Sequence, residues 1–233
     1  GTNAVAGNTV LGESALDAAV SGGNNTAIGL EALTSMTSGT QNTAVGRLSL
    51  TTLTTGGSNT AIGSLALYQA TTGSNNVGVG FNALGTNSTA SNNTGVGFYA
   101  LGANTTGTSN VALGTNALDS NTTASNNTAL GKDALGATTT GGDNTAVGKG
   151  TLASNTGVQN QAFGIHAMLN NTSGNQNTAM GAFALTTNTT GGSNVAIGHD
   201  ALLLNSTGSL NTAVGHEALE NNTTNSNTGI GYR

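Results

Sequence analysis

The chain has 233 residues with no Cys, no Pro and no Trp; 3% of them are aromatic, 6% are charged, and the net charge is −5. So few large apolar side chains exclude an ordinary compact core, which comes with about 25% charged residues and more aromatic bulk. Disulfides and thiolate metal sites are excluded, and four basic against nine acidic residues leave no electrostatic footprint for nucleic acid.

In chain order, residues 1–7 read as a partial leading coil and residues 8–233 as one continuous repeat array with no separate second domain. The array repeats the pentapeptide Asn-Thr-Ala-(apolar)-Gly fourteen times. Its glycines are Gly12, Gly29, Gly46, Gly63, Gly80, Gly97, Gly114, Gly131, Gly148, Gly164, Gly181, Gly198, Gly215 and Gly231. Eleven of the thirteen intervals are 17 residues, and two (Gly148 to Gly164, Gly215 to Gly231) are 16. A fixed short period means one structural unit stacked on itself. The chain starts part-way through a repeat and stops just after a motif, as a mature piece or a segment of a longer fibrous protein would. No run of about 18 apolar residues predicts a membrane span, and no signal peptide is visible.

Seventeen residues are too few for a helical hairpin repeat, and Asn, Thr and Gly are poor helix formers. The pattern predicts an all-β, parallel β-solenoid of about fourteen coils, each with two short strands and two turns. At about 4.8 Å per coil it would form a rod of roughly 65 Å. Within the motif, alternation predicts that the apolar residue and the Thr/Val two before it point inward, with the small Ala facing the other way. The Leu that follows four residues after the glycine is the second core residue. The predicted core is therefore Ile28, Leu33, Val45, Leu50, Ile62, Leu67, Val147, Leu152, Ile197 and Leu202. The motif glycines and the turn glycines, such as Gly56 and Gly57, are expected at positive φ.

Asparagine stands four residues before every motif glycine. Stacked at a corner, these side chains can bond amide to amide and to the turn backbone. The predicted ladder includes Asn25, Asn42, Asn59, Asn76, Asn93, Asn110, Asn127, Asn144, Asn194 and Asn211.

Ser193-Asn194-Val195-Ala196-Ile197-Gly198 and Asn110-Val111-Ala112-Leu113-Gly114 resemble the repeats of YadA-type trimeric autotransporter adhesin heads, and are similar to repeats of bacteriophage tail fibres. The resemblance runs from Asn8 to Arg233, although the adhesin repeat is shorter, about 14 residues. It implies a left-handed parallel β-roll, three chains side by side, displayed outside a cell or on a virion. Residue-level burial points to association as well. Each coil supplies little apolar area against the entropy of ordering 17 residues, so a second buried face, packed through the small Ala positions, is expected.

The two residues after each glycine vary most and carry most of the charge. Equivalent positions in adjacent coils should be neighbours, placing His199 over His216 and Asp200 over Glu217. These four are weak candidates for a divalent metal; a solvated turn is the favoured reading. Phe81, Phe98 and Tyr99 form a candidate contact surface, either an aromatic platform for a sugar ring or a patch packed on an adjacent chain. Asn104, Asn121, Asn188 and Asn222 lie in Asn-x-Ser/Thr sequons. No Ser/His/Asp set or phosphate-binding motif recurs, and no cofactor is implied.

The expected function is therefore non-catalytic. It is a structural or adhesive rod or head of an extracellular fibre, self-associating as a homotrimer or end to end, with a host glycan or protein as an outside partner. A self-assembling extracellular filament and an ice-binding solenoid are the alternatives. Ice binding is weakened by the expectation that the motif Thr points inward.

Overall fold

The computed structural model describes residue 5 and residues 7–233, so most of the expected leading coil lies outside the described residues. These divide into two compact units, Gly1–Thr123 and Ala124–Arg233. Both are all-β, and no helix occurs among the described residues.

The first unit stacks β1 (Thr9–Leu11), β2 (Thr26–Ile28), β3 (Thr43–Val45), β4 (Thr60–Ile62), β5 (Val77–Val79), β6 (Thr94–Val96) and β7 (Val111–Leu113). Each strand pairs in parallel with the next, one coil apart, so that Thr43 lies beside Thr60 and Val45 beside Ile62. The second unit stacks β8 (Thr128–Leu130), β9 (Thr145–Val147), β10 (Gln161–Phe163), β11 (Thr178–Met180), β12 (Val195–Ile197), β13 (Thr212–Val214) and β14 (Thr228–Ile230) in the same way. Both short repeats fall here. Registers such as Val147 beside Phe163 and Val214 beside Ile230 are undisturbed, so the missing residue comes out of a turn. The fold is a parallel β-solenoid with one coil per repeat.

Each coil contains one three-residue strand, not the expected two. The reason lies in the backbone after the glycine. In the coil of Gly46, Leu48 and Leu50 both adopt left-handed conformations (φ 60° and 50°), as do their equivalents along the chain, for example Leu65 and Leu67. Alternate left-handed residues curl the chain too tightly for a second strand. Coil-to-coil bonding continues without one: Leu33 N–H donates to Ser49 O at 3.1 Å, and Leu50 N–H to Ala66 O at 3.1 Å. A left-handed leucine costs about 1–2 kcal/mol. Burial of its side chain, about 1.5–3 kcal/mol, offsets that cost.

The motif glycines do take positive φ, in an extended form open only to Gly. At Gly46 (φ 137°) an added Cβ would also lie 2.5 Å from the carbonyl oxygen of Gly63 in the next coil. Turn glycines such as Gly56 and Gly57 do not have positive φ. They are small because a Cβ at Gly56 would collide with the carbonyl of Gly73. Polar residues before the motif Asn, such as Ser58 (φ 57°) and Asn75 (φ 59°), make the left-handed turn there.

The strand alternates as expected but with inverted phase. Ala27, Ala44, Ala61, Ala146 and Ala196 are fully buried, as are Leu33, Leu50, Leu67, Leu152 and Leu202. The predicted core residues Ile28, Val45 and Val147 are only half-buried, while Ile62 (42%) and Ile197 (37%) are exposed. The interior of the coil explains this. A Cβ at Gly95, which replaces the motif Ala, would lie 3.2 Å from Leu84 Cγ of the preceding coil and 3.0 Å from Ala100 O. Leucine already fills the lumen, so the strand can point only a methyl group or hydrogen into it. The Ala is small because of its own coil, not because a neighbouring chain packs there.

Candidate interaction face

Three polar ladders bond each coil to the next. In the first, each motif Asn accepts from the next. Asn42 N–H donates to Asn25 Oδ1 at 2.9 Å, and Asn59 N–H to Asn42 Oδ1 at 3.0 Å. The amide nitrogens cross the coil: Asn42 Nδ2 donates to Gly56 O and Asn59 Nδ2 to Gly73 O, both at 2.9 Å. Asn25, Asn76, Asn93 and Asn110 continue the ladder in the first unit, and Asn127, Asn144, Asn194 and Asn211 belong to it in the second. All ten are fully buried.

The second ladder is absent from the sequence expectations. Asn104 Nδ2 donates to Asn87 Oδ1 at 2.7 Å, and Asn121 Nδ2 to Asn104 Oδ1 at 2.8 Å. In the second unit Asn171 bonds Asn155 at 2.7 Å and Asn188 bonds Asn171 at 2.6 Å. Asn93 Nδ2 to Asn87 Oδ1, 3.2 Å, ties the two ladders together. Met36, Leu53 and Ala70 occupy the same register in earlier coils and are buried there. The available signal was an Asn seven residues after the motif glycine, hidden in a polar stretch. The third ladder runs through Thr37, Thr54, Thr71, Ser88 and Thr105 in the first unit, as in Thr54 Oγ1 to Thr71 O at 2.9 Å.

Sequons therefore differ in accessibility. Asn104, Asn121 and Asn188 are fully buried, whereas Asn222 lies nearer the surface.

With alanine inside, each strand turns its other two side chains outward. In the first unit this makes a Thr/Val column (Thr26, Thr43, Thr60, Val77, Thr94) beside an apolar column (Ile28, Val45, Ile62, Val79, Val96, Leu113). In the second unit the apolar column is Leu130, Val147, Phe163, Met180, Ile197 and Val214. Exposure reaches 46% at Leu113 and 44% at Met180. Isolated exposed apolar residues are ordinary, whereas this column is regular from coil to coil within each unit.

The variable position after the glycine forms a third column. Phe81 and Phe98 stack there with centroids 5.6 Å apart and planes 17° from parallel, and Tyr99 packs edge-on to Phe98 at 4.6 Å. Stacked rings spend much of their faces on one another, which speaks against a flat sugar platform. In the second unit His199 stacks on His216 (5.3 Å, 7°) and His216 on Tyr232 (5.5 Å, 19°). His199 Nδ1 lies 2.8 Å from Asp200 Oδ2, and His216 Nδ1 lies 3.5 Å from Glu217 Oε1. The two histidines stack and each lies beside the carboxylate of its own next residue, yet no group of three or more His, Cys, Asp or Glu among the described residues could hold a metal ion. The Lys132–Asp133 pair (3.6 Å) is exposed and contributes little.

No helix among the described residues is long and apolar enough to cross a membrane. Among known proteins, no family model, curated protein or solved structure matches the chain.

Proposed function

We propose that the chain is a non-catalytic structural or adhesive segment of an extracellular surface fibre, of the adhesin or phage tail-fibre kind, in which copies associate side by side as a homotrimer. The observation that carries this reading is the outward apolar column of the sheet. It is regular, continuous within each unit, and costly to leave in water. The resemblance of the repeats to trimeric adhesin heads supports the same association and implies a left-handed coil. Contacts with a host protein then fall to the variable column, where Phe81, Phe98 and Tyr99 are exposed. Sedimentation equilibrium tests the reading. A homotrimer has three times the 22.5 kDa chain mass, and a monomer at all concentrations removes it.

A second reading, ice binding, gains from the strand phase. Thr26, Thr43 and Thr60 face outward in register, as a water-ordering surface requires. Protruding residues such as Phe163 and Met180 roughen the neighbouring column and favour association instead. Thermal hysteresis in a solution of the protein would establish ice binding; its absence removes that reading.

A further inference from the structure

We propose that Thr55, Thr72, Thr89, Thr106 and Thr123 form an ice-binding row on the first unit, with the water lattice at an ice surface as the ligand. The proposal rests on the second reading above but assigns ice binding to a different row from the strand threonines. It does not depend on association of copies.

The first observation is a difference within each hydroxyl pair. The first member is tied to the next coil. Thr54 Oγ1 donates to Thr71 O at 2.9 Å, Thr71 Oγ1 to Ser88 O at 3.0 Å, Ser88 Oγ to Thr105 O at 3.1 Å and Thr105 Oγ1 to Thr122 O at 2.9 Å. The second member (Thr55, Thr72, Thr89, Thr106 or Thr123) is exposed in all five coils, and its hydroxyl has no partner among the described residues. A hydroxyl carries one donor and two acceptor sites, so each of these is left to water. The strand threonines Thr26, Thr43 and Thr60 are half-buried by comparison.

The second observation is the backbone beneath the row. Thr54 N–H donates to Thr71 O at 2.8 Å, Thr71 N–H to Ser88 O at 2.7 Å, Ser88 N–H to Thr105 O at 3.2 Å and Thr105 N–H to Thr122 O at 2.9 Å. Coils bonded in register in this way repeat about every 4.8 Å. Five hydroxyls at one fixed spacing hold a row of waters at that spacing. A surface already ordered loses little further entropy when those waters freeze.

The surroundings supply the remaining link. Segments 54–58, 71–75, 88–92 and 105–109 contain only Gly, Ala, Ser, Thr and Asn. No charge there pulls water out of register, and no large side chain stands beside the row. The second unit lacks these conditions. Its short coil before Gly164 has a single hydroxyl residue in this turn, Thr156, whose Oγ1 donates to Thr172 O at 2.8 Å, and Gly157 follows directly. Val158 (39%) and Leu210 (62%) are exposed in its turns.

The test is thermal hysteresis of the full chain in the presence of a seed ice crystal, measured beside Thr72→Lys/Thr89→Lys/Thr106→Lys and Thr26→Lys/Thr43→Lys/Thr60→Lys variants. Circular dichroism checks that each is folded. Expected are hysteresis in the parent and its loss in the folded Thr72→Lys/Thr89→Lys/Thr106→Lys variant. If that variant does not fold, the single Thr89→Lys at the centre of the row carries the test and should lower the hysteresis. A folded row variant that keeps the parent's hysteresis overturns this site. Loss confined to the Thr26→Lys/Thr43→Lys/Thr60→Lys variant does so too, and returns ice binding to the strand face. A parent without hysteresis overturns the ice-binding reading and the row with it.

Discussion

The backbone N–H of Asn59 donates to the side-chain oxygen of Asn42 at 3.0 Å, while Asn59 Oδ1 accepts from the N–H of Asn76 at 3.0 Å. Each motif asparagine is therefore both a rung and the anchor of the next rung. Asn59→Ala removes the acceptor of Asn76 N–H and the donor to Gly73 O at a fully buried position. At about 1–3 kcal/mol for each orphaned group, the expected loss is roughly 2–6 kcal/mol. Asn59→Asp should cost at least as much, because it buries a charge and still lacks the donor. Urea unfolding monitored by circular dichroism would measure both. A loss below half a kcal/mol contradicts the ladder's role.

Neighbouring residues Ala61 and Ile62 should respond in opposite ways to what their hydrophobicity implies. Ala61 is fully buried against the filled lumen, so Ala61→Ile overpacks it and costs about 1–3 kcal/mol or more. Ile62 is 42% exposed, and Ile62→Thr should change the stability of the isolated chain by less than about 1 kcal/mol. Thermal denaturation at low protein concentration reads both. The reverse ranking would restore the inward apolar phase.

Gly46→Ala combines a forbidden φ of 137° with a collision against Gly63 O. Backbone strain of this kind costs about 1–3 kcal/mol before the clash is counted. Expected is a lowered melting temperature, with hydrogen exchange quickened first at Gly63 and Leu65, whose N–H groups donate to Val45 O (2.8 Å) and Arg47 O (3.0 Å) on either side of Gly46. An unchanged exchange pattern would show that the coil tolerates a side chain there.

Sequon occupancy separates surface from interior. Produced in a glycosylating secretory host, the folded protein should carry glycan on the exposed Asn92 and none on Asn104, whose amide is bonded to Asn87 and Gly107. Peptide mapping by mass spectrometry checks this. Folded material glycosylated at Asn104 contradicts the buried second ladder.

The period made the coil spacing, the motif strand and the first asparagine ladder legible in the sequence, because stacking converts a repeat directly into neighbours; the second strand expected in each coil is absent. Phase was not legible. A strand of period two is equally consistent with either face inward, and the larger apolar residue was placed in the core by its hydrophobicity. What decided the matter was the volume left by Leu84 and its equivalents, which only the folded coil shows. The turn chemistry misled for a similar reason. Glycine was credited with left-handed turns that Ser58, Asn75 and leucines such as Leu50 make, because a buried leucine compensates for its own strain. That His199 and His216 are neighbours was visible from the 17-residue spacing; the parallel stacking of their rings was not.

Native mass spectrometry of the chain beside its Ile28→Lys/Val45→Lys/Ile62→Lys variant tests the outward face most directly. All three side chains lie in the apolar column and none in the lumen. The account predicts a parent particle of three 22.5 kDa chains and a folded, monomeric variant with an unchanged circular dichroism spectrum. A monomeric parent, or a variant that stays associated, would contradict it.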